Sequence, residues 1–192
     1  MSRPAEGNDR VLTQRALVLD ASAALVLFAS GRMHEILRAQ SASVWVVQET
    51  VDEVRFLRGS KTSKSPSEHE QIDWSSVLSP GLMGLLERTD PQEFARFVHL
   101  AQMVDEGEAA AAAAAMHRGY DLVVDDLKAR RVFAGGVPLI WSLELVHHWC
   151  TSAAIPGDEV GAILANIRQK ARYQPHVAHP LLNWWQRHYA SE

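Results

Sequence analysis

Four short, largely apolar runs, each followed by a stretch with helical period, restrict this chain more than any other feature. They are Leu17-Val18-Leu19, Val44-Trp45-Val46-Val47, Tyr120 to Val124 and Val137 to Trp141. Runs this short and apolar read as strands covered on both faces, the condition of a parallel sheet. Parallel neighbours need crossover connections, and helical segments stand where crossovers are required. The expected fold class is therefore α/β: a single domain with a parallel sheet of about four to five strands and helices on both faces.

The helical segments carry their own signals. From Ser22, the residues Leu25, Phe28, Ala29, Met33, Ile36 and Leu37 fall on one helical face, with Gly31 a weak point. After the second strand, Val51, Val54 and Leu57 mark the apolar side of another helix, and Thr50 and Glu53 stand at capping-box spacing. Residues 59–70 are rich in Ser, Lys, Glu and Pro and read as a mobile loop. Ile72 to Arg88 reads as a short strand, a turn at Pro80-Gly81 and a helix.

Asp90-Pro91-Gln92-Glu93 is a helix start with proline at the first helical position. Phe94, Phe97, Val98, Ala101 and Val104 are its expected buried face. Asp105 opens the next helix, whose run of seven alanines, Ala109 to Ala115, has the highest helix propensity available; Gly119 closes it. A short helix follows Asp125-Asp126 and ends at Gly135-Gly136. Ser142 is expected to cap the helix after the fourth strand, and Asp158 begins a helix that turns Val160, Ile163, Leu164 and Ile167 inward. The domain is expected over residues 16–172, with a flexible tail at 1–15. Residues 173–192, with Trp184-Trp185, read as a C-terminal extension packing on it.

Composition narrows the partners. The net charge of −4 argues against coating nucleic acid by bulk attraction, so local cations or a bound metal would have to supply it. The single cysteine, Cys150, permits no intramolecular disulfide and points to a reducing, cytoplasmic setting. No apolar run approaches the roughly 18 residues of a membrane span, so no membrane role is expected.

In open α/β sheets, ligands gather beyond the carboxyl ends of the strands. Asp20 follows the first run, and Asp125 and Asp126 follow the third. Glu53 and Glu108 lie near the starts of later helices. Each acid alone reads as a helix cap or half of a capping box. Helix N-termini do not attract cations, so carboxylates that meet there need another reason, and metal binding is the obvious one.

At this point the chain resembles a known family. "LVLDASAALVLF" is similar to the first strand and helix of the PIN domain, and "VVQETVDEV" to its second strand and acid-bearing helix. "VDEGEAAAAAAA" and "YDLVVDDLKARRVFAGGVPLIWSLELV" resemble the central GE helix and D-D-x-x-A-R segment of the PIN subgroup related to VapC-type toxin ribonucleases. The resemblance spans about Leu17 to Gln169 and implies a metal-dependent ribonuclease with three or four carboxylates in its site. Carried over by motif, the catalytic residues are Asp20, Glu53, Glu108 and Asp126. The implied metal ligands are Asp20, Asp126, Glu108 and Asp125.

Two departures stand out. Glu49 precedes Glu53 by one helical turn and competes for the second acidic position. Glu108 stands where many relatives carry Asp. The implied cofactor is Mg²⁺ or Mn²⁺, a hard cation suited to oxygen ligands. The implied substrate is RNA, with Ser22, Lys128, Arg130 and Arg131 as candidate contacts, although Arg130 reads more readily as a structural residue or an ion-pair partner for the acids. An antitoxin protein and a homodimer are the further partners that the resemblance brings. The competing reading is a PIN-like binding module for RNA or protein that has lost catalysis.

Overall fold

A computed structural model describes residues 15–58 and 69–189. Its centre is a five-stranded, all-parallel sheet in the order β5-β2-β1-β6-β7, formed by β1 (Leu17–Leu19), β2 (Val44–Val47), β5 (Met83–Leu86), β6 (Asp121–Val123) and β7 (Leu139–Ile140). The α/β expectation holds, with helices on both faces. A separate antiparallel ribbon, β3 (Phe56–Arg58) with β4 (His69–Gln71), was not foreseen.

Side chains alternate across the pleat and build two cores. On one face, Leu17, Leu19, Val44 and Val46 meet α1 (Ala21–Ala29), α2 (Met33–Ala39), α7 (Ser142–Ser152) and α8 (Gly157–Lys170). Trp185 of α9 (Leu182–Tyr189) is buried in the same core. On the other face, Val18, Leu122 and Val124 meet α5 (Glu106–Arg118) and α6 (Leu127–Phe133). Ala109 to Ala115 are all fully buried, because α5 lies directly against β1, β2 and β6. A methyl-sized surface lets the helix approach the sheet, and α4 (Pro91–Leu100) then covers its outer side.

The chain runs outward from β1 through β2 to β5, then returns to the other side of β1 for β6 and β7. The strand order therefore reverses between β1 and β6, and the crevice at their carboxyl ends is where ligands of such sheets bind.

Several local expectations need correction. The helix read from Ser22 through Leu37 is two helices, broken at Ser30-Gly31, where Gly31 takes a left-handed φ of 69°. The helix read through Leu57 is the short α3 (Gln48–Glu53), and Leu57 belongs to β3. Thr50 is not a cap: it lies inside α3, fully buried, with its hydroxyl directed 3.4 Å from the Leu19 carbonyl. Ile72 to Arg88 holds a 3₁₀ turn at Trp74–Ser76 and the strand β5 in place of the expected helix. Of the loop read at residues 59–70, residues 59–68 lie outside the described residues, as do 1–14 of the N-terminal tail; His69 to Gln71 form β4. Ser142 is the first residue of α7, with Trp141 at the cap position.

The face of α4 is also displaced. Asp90 caps it as expected, accepting from the Gln92 N–H at 2.7 Å. Phe94 and Val98, however, are 53% and 45% exposed, whereas Glu93 is buried. Glu93 turns inward because Arg118 of α5 meets its carboxylate at 3.1 Å. That pairing rotates the buried stripe by one residue.

The tight seating of α5 has a measurable consequence. Ala112→Leu, which inserts three carbons where a methyl meets its neighbours, is expected to destabilise the fold by about 1–3 kcal/mol through overpacking. Urea unfolding checks it; wild-type stability in the variant would show that α5 is not packed as described.

Candidate functional site

The acids assemble at the crevice between β1 and β6. Asp20 ends β1 and is fully buried. It caps α1, accepting from the Ala23 N–H at 2.7 Å, and its carboxylate also accepts from the Ser22 hydroxyl at 2.9 Å. The Ser22 hydroxyl in turn accepts from the Asp125 N–H at 3.0 Å. Ser22 thus bridges the ends of the two strands that flank the crevice.

The Asp pair after β6 divides its labour. Asp125 turns toward α7, where its carboxylate accepts from the Ser142 N–H at 3.1 Å and from the Ser142 hydroxyl. Asp126 caps α6 through one oxygen, Oδ1, which accepts from Lys128 and Ala129 N–H groups at 2.8 Å. Among the described residues no hydrogen bond reaches its Oδ2. Of the two, Asp126 is therefore the acid left open to a ligand.

The two glutamates arrive from helices. Glu53 is the last residue of α3, not near its start. Its carboxylate lies over Gly107 of α5, where a Cβ would come within 2.5 Å of Glu53 Oε2. A side chain at that position would push the Glu53 carboxylate aside, and the charge of Glu53 is felt at the neighbouring Glu108. Glu49, the competitor for the second acidic position, is instead ion-paired with Arg88. Of the two, Glu53 is the one whose charge reaches Glu108.

The electrostatics agree with this convergence. Burial pushes the Asp20 carboxyl well above its usual range, the cap bond opposes the shift, and the charges of Asp125 and Glu108 add to it. Glu108 is raised by burial and then by Asp126; a hydrogen bond from the Asp105 backbone opposes the shift, and the charges of Asp105 and Glu53 add to it. Glu53 is raised by burial and by Asp105. The charge of Arg130 also reaches Asp20. Asp125 rises to about 6 through burial, opposed by its bonds from Ser142 and by Arg130.

The carboxylates do not form a ready cage. Among the described residues, no three His, Cys, Asp or Glu side chains stand as a preformed metal-binding group. The donor set still fits a hard cation in kind, being oxygen-only, anionic and drawn from four chain segments.

The candidate RNA contacts separate. Arg130 is committed to structure: its Nη1 donates to the Val124 carbonyl at 2.8 Å and the Ile140 carbonyl at 3.1 Å, and its guanidinium lies 3.5 Å from the Trp141 ring centroid. Lys128 and Arg131 are exposed on α6, with no ion pair among the described residues. His179 packs on Trp141; burial, then Arg130, push its pKa down to about 4, so it is neutral near pH 7.

A cleft of about 440 Å³ opens beside the acids. Ser22, Asp125 and Asp126 form one side, and residues Ala171 to Gln174, following α8, form another. No motif announced this second wall. It depends on Arg172 adopting a left-handed φ of 55°, which a non-glycine residue does not signal in sequence.

Compared with protein-family models, curated proteins and solved structures, the chain has no match in any of the three.

The raised pKa of Asp125 sets a pH dependence. Its folded-state value, about 6, exceeds the ordinary 3.8, so the folded protein holds the proton more tightly between those values. The stability it contributes is full below pH 3.8 and is lost as pH rises through 6. Asp125→Asn removes that loss, so the variant should gain on wild type as pH climbs from 4 to 7. Urea unfolding in chelator at several pH values tests this; a difference constant with pH contradicts it.

Proposed function

We propose that this protein is a divalent-metal-dependent endoribonuclease of the PIN type. What supports the reading is a series of coupled acids at the switch point of a parallel sheet: Asp20 feels the charge of Glu108, and Glu108 those of Asp126 and Glu53. Burial is the main cause of the raised pKa values of Asp20, Glu53 and Glu108, and neighbouring carboxylates add to it. Carboxylates held toward the protonated form in this way gain from an arriving cation.

Asp20 and Asp126 would hold the ion, with Glu53 and Glu108 completing the shell directly or through water. Bound Mg²⁺ or Mn²⁺ supplies Lewis-acid charge for phosphodiester hydrolysis. The chain's own groups do the rest. Ser22 and the Ala23 N–H fix the Asp20 carboxylate in one orientation. Glu108, raised by burial and by Asp126, is suited to accept a proton from the attacking water at its carboxylate. Lys128 and Arg131, exposed on α6, supply local positive charge for the phosphates.

The substrate assignment to RNA and the role of toxin in a toxin–antitoxin pair rest on the family resemblance. Toxicity on expression, relieved by a co-expressed neighbouring protein, separates a toxin from an RNA-processing enzyme. A second reading, a PIN-like binding module without catalysis, draws on one observation: the absence, among the described residues, of a preformed three-ligand group.

Purified protein should cleave mixed single-stranded RNAs with Mg²⁺ or Mn²⁺ and stop on chelation. Asp20→Asn and Asp126→Asn should each lower the rate by more than the ~10–100-fold typical of residues that merely support metal ligands. Cleavage that survives in the double variant would falsify this site, and failure to bind Mn²⁺ in calorimetry selects the binding module. Gly107→Ala, favourable by about 1 kcal/mol for the helix, should leave the fold intact yet weaken Mn²⁺ binding by displacing the Glu53 carboxylate. A melting curve and a Mn²⁺ titration read the two effects separately.

A further inference from the structure

The cleft beside the acids has the features of a small-molecule subsite. Its volume of about 440 Å³ falls within the ~300–1,000 Å³ range of ligand pockets. Leu25 and Val26 of α1 and Leu127 of α6 give it an apolar side. Opposite them stands the segment after α8, which the left-handed Arg172 turns back toward the crevice.

Tyr173 is the telling residue on that segment. Its ring packs edge-on against Trp185, with centroids 5.8 Å apart, which fixes the phenol in place. Its hydroxyl is buried and, among the described residues, has no hydrogen-bond partner. Burial, then the charge of Asp125, hold its pKa above the ordinary 10, so the hydroxyl remains a donor across the working pH range. A buried hydroxyl without a partner costs stability, and a ligand that brings an acceptor to it, with a small shift of the side chains that cover it, would recover that cost. The exposed Gln174 amide adds a second donor and acceptor at the rim. Arg172, exposed and without an ion pair among the described residues, stands at the mouth.

An apolar wall, a fixed hydroxyl donor, an amide and a guanidinium at the rim match an aromatic heterocycle on a sugar. Asp125, Asp126 and Ser22 line this same cleft, so whatever occupies it lies against the acids. We propose that the cleft holds one unstacked nucleoside of the substrate strand, its base against Leu25, Val26 and Leu127 and its polar edge on Tyr173 and Gln174. The strand's phosphate then lies toward Asp126, and Arg172 accompanies the chain outside. The inference rests on the nuclease reading for its substrate class, but the side of the cleft that would hold the base, Leu25, Val26, Leu127, Tyr173 and Gln174, contains no proposed metal ligand. It implies that cleavage depends on which nucleoside sits in the cleft, so the enzyme would cut loops and single strands where a base is free to swing out.

The test uses uncharged nucleosides, so the acids repel nothing and no metal is needed. Full-length protein in chelator is titrated with adenosine, guanosine, cytidine, uridine and their 2′-deoxy forms, followed by saturation-transfer NMR. At least one nucleoside is expected to bind, with a preference among the four bases. Tyr173→Phe keeps the ring packing and removes only the orphan hydroxyl; it should weaken that binding about threefold to tenfold. Gln174→Ala, at an exposed position, should change the order of preference.

Binding that fails for every nucleoside, or that is unchanged in both variants, overturns the subsite. The two readings fail separately. Mn²⁺-dependent RNA cleavage with a pattern unaltered in Tyr173→Phe and Gln174→Ala sinks the subsite and spares the nuclease. Tyr173-dependent nucleoside binding in a protein that cleaves nothing sustains the subsite and sinks the nuclease. Equal binding of ribo and deoxy forms places the recognition on the base; a ribo preference places part of it on the 2′-hydroxyl.

Discussion

The close seating of an alanine helix on a parallel sheet is the contact on which the rest of the molecule depends. Seven consecutive methyl groups let α5 lie against β1, β2 and β6. Because α5 begins at the carboxyl edge of the sheet, its first turn delivers Gly107 and Glu108 to the crevice. Gly107 extends the small-residue surface by one position and makes room for the Glu53 carboxylate. Larger side chains along α5 would lift the helix away and take Glu108 with it. Packing and site geometry are therefore set by the same stretch of sequence.

Capping and ligand binding look like rival explanations for each acid, yet the structure joins them. Asp20 caps α1, Asp126 caps α6, and Asp125 holds the first N–H of α7. Three helix N-termini therefore point their partial positive ends at one crevice. Together with Arg130, these dipoles let carboxylates gather there, and the capping bonds orient the oxygens. Burial outweighs this help, as the raised pKa values of Asp20 and Asp125 show.

The strands, the alternation and the acids after β1 and β6 were legible in the sequence because burial on both faces leaves a plain signal of short apolar runs. The failures share a cause: a tertiary partner overrode the local pattern. Leu57 fits a helical period but pairs with Glu70 in a ribbon. Glu93 sits at a polar position of α4 yet is buried, since Arg118 arrives from another helix. Of the candidate site, the acids could be read from their places after strands and before the alanine run. The choice of Glu53 over Glu49 required Arg88 and Gly107, which are distant in the chain. The cleft wall at Tyr173 required a backbone twist that arginine does not advertise.

Arg130 gives the crevice a property its acids lack. β7 is two residues long, and the Arg130 guanidinium links its end to that of β6 by bonding the Ile140 and Val124 carbonyls while stacked on Trp141. A guanidinium keeps its proton at every pH that proteins tolerate. The clasp thus stays shut while the carboxylates around it gain and lose protons. Shape and charge are uncoupled at this rim: acidification can empty the crevice of negative charge without unfastening the strands that frame it.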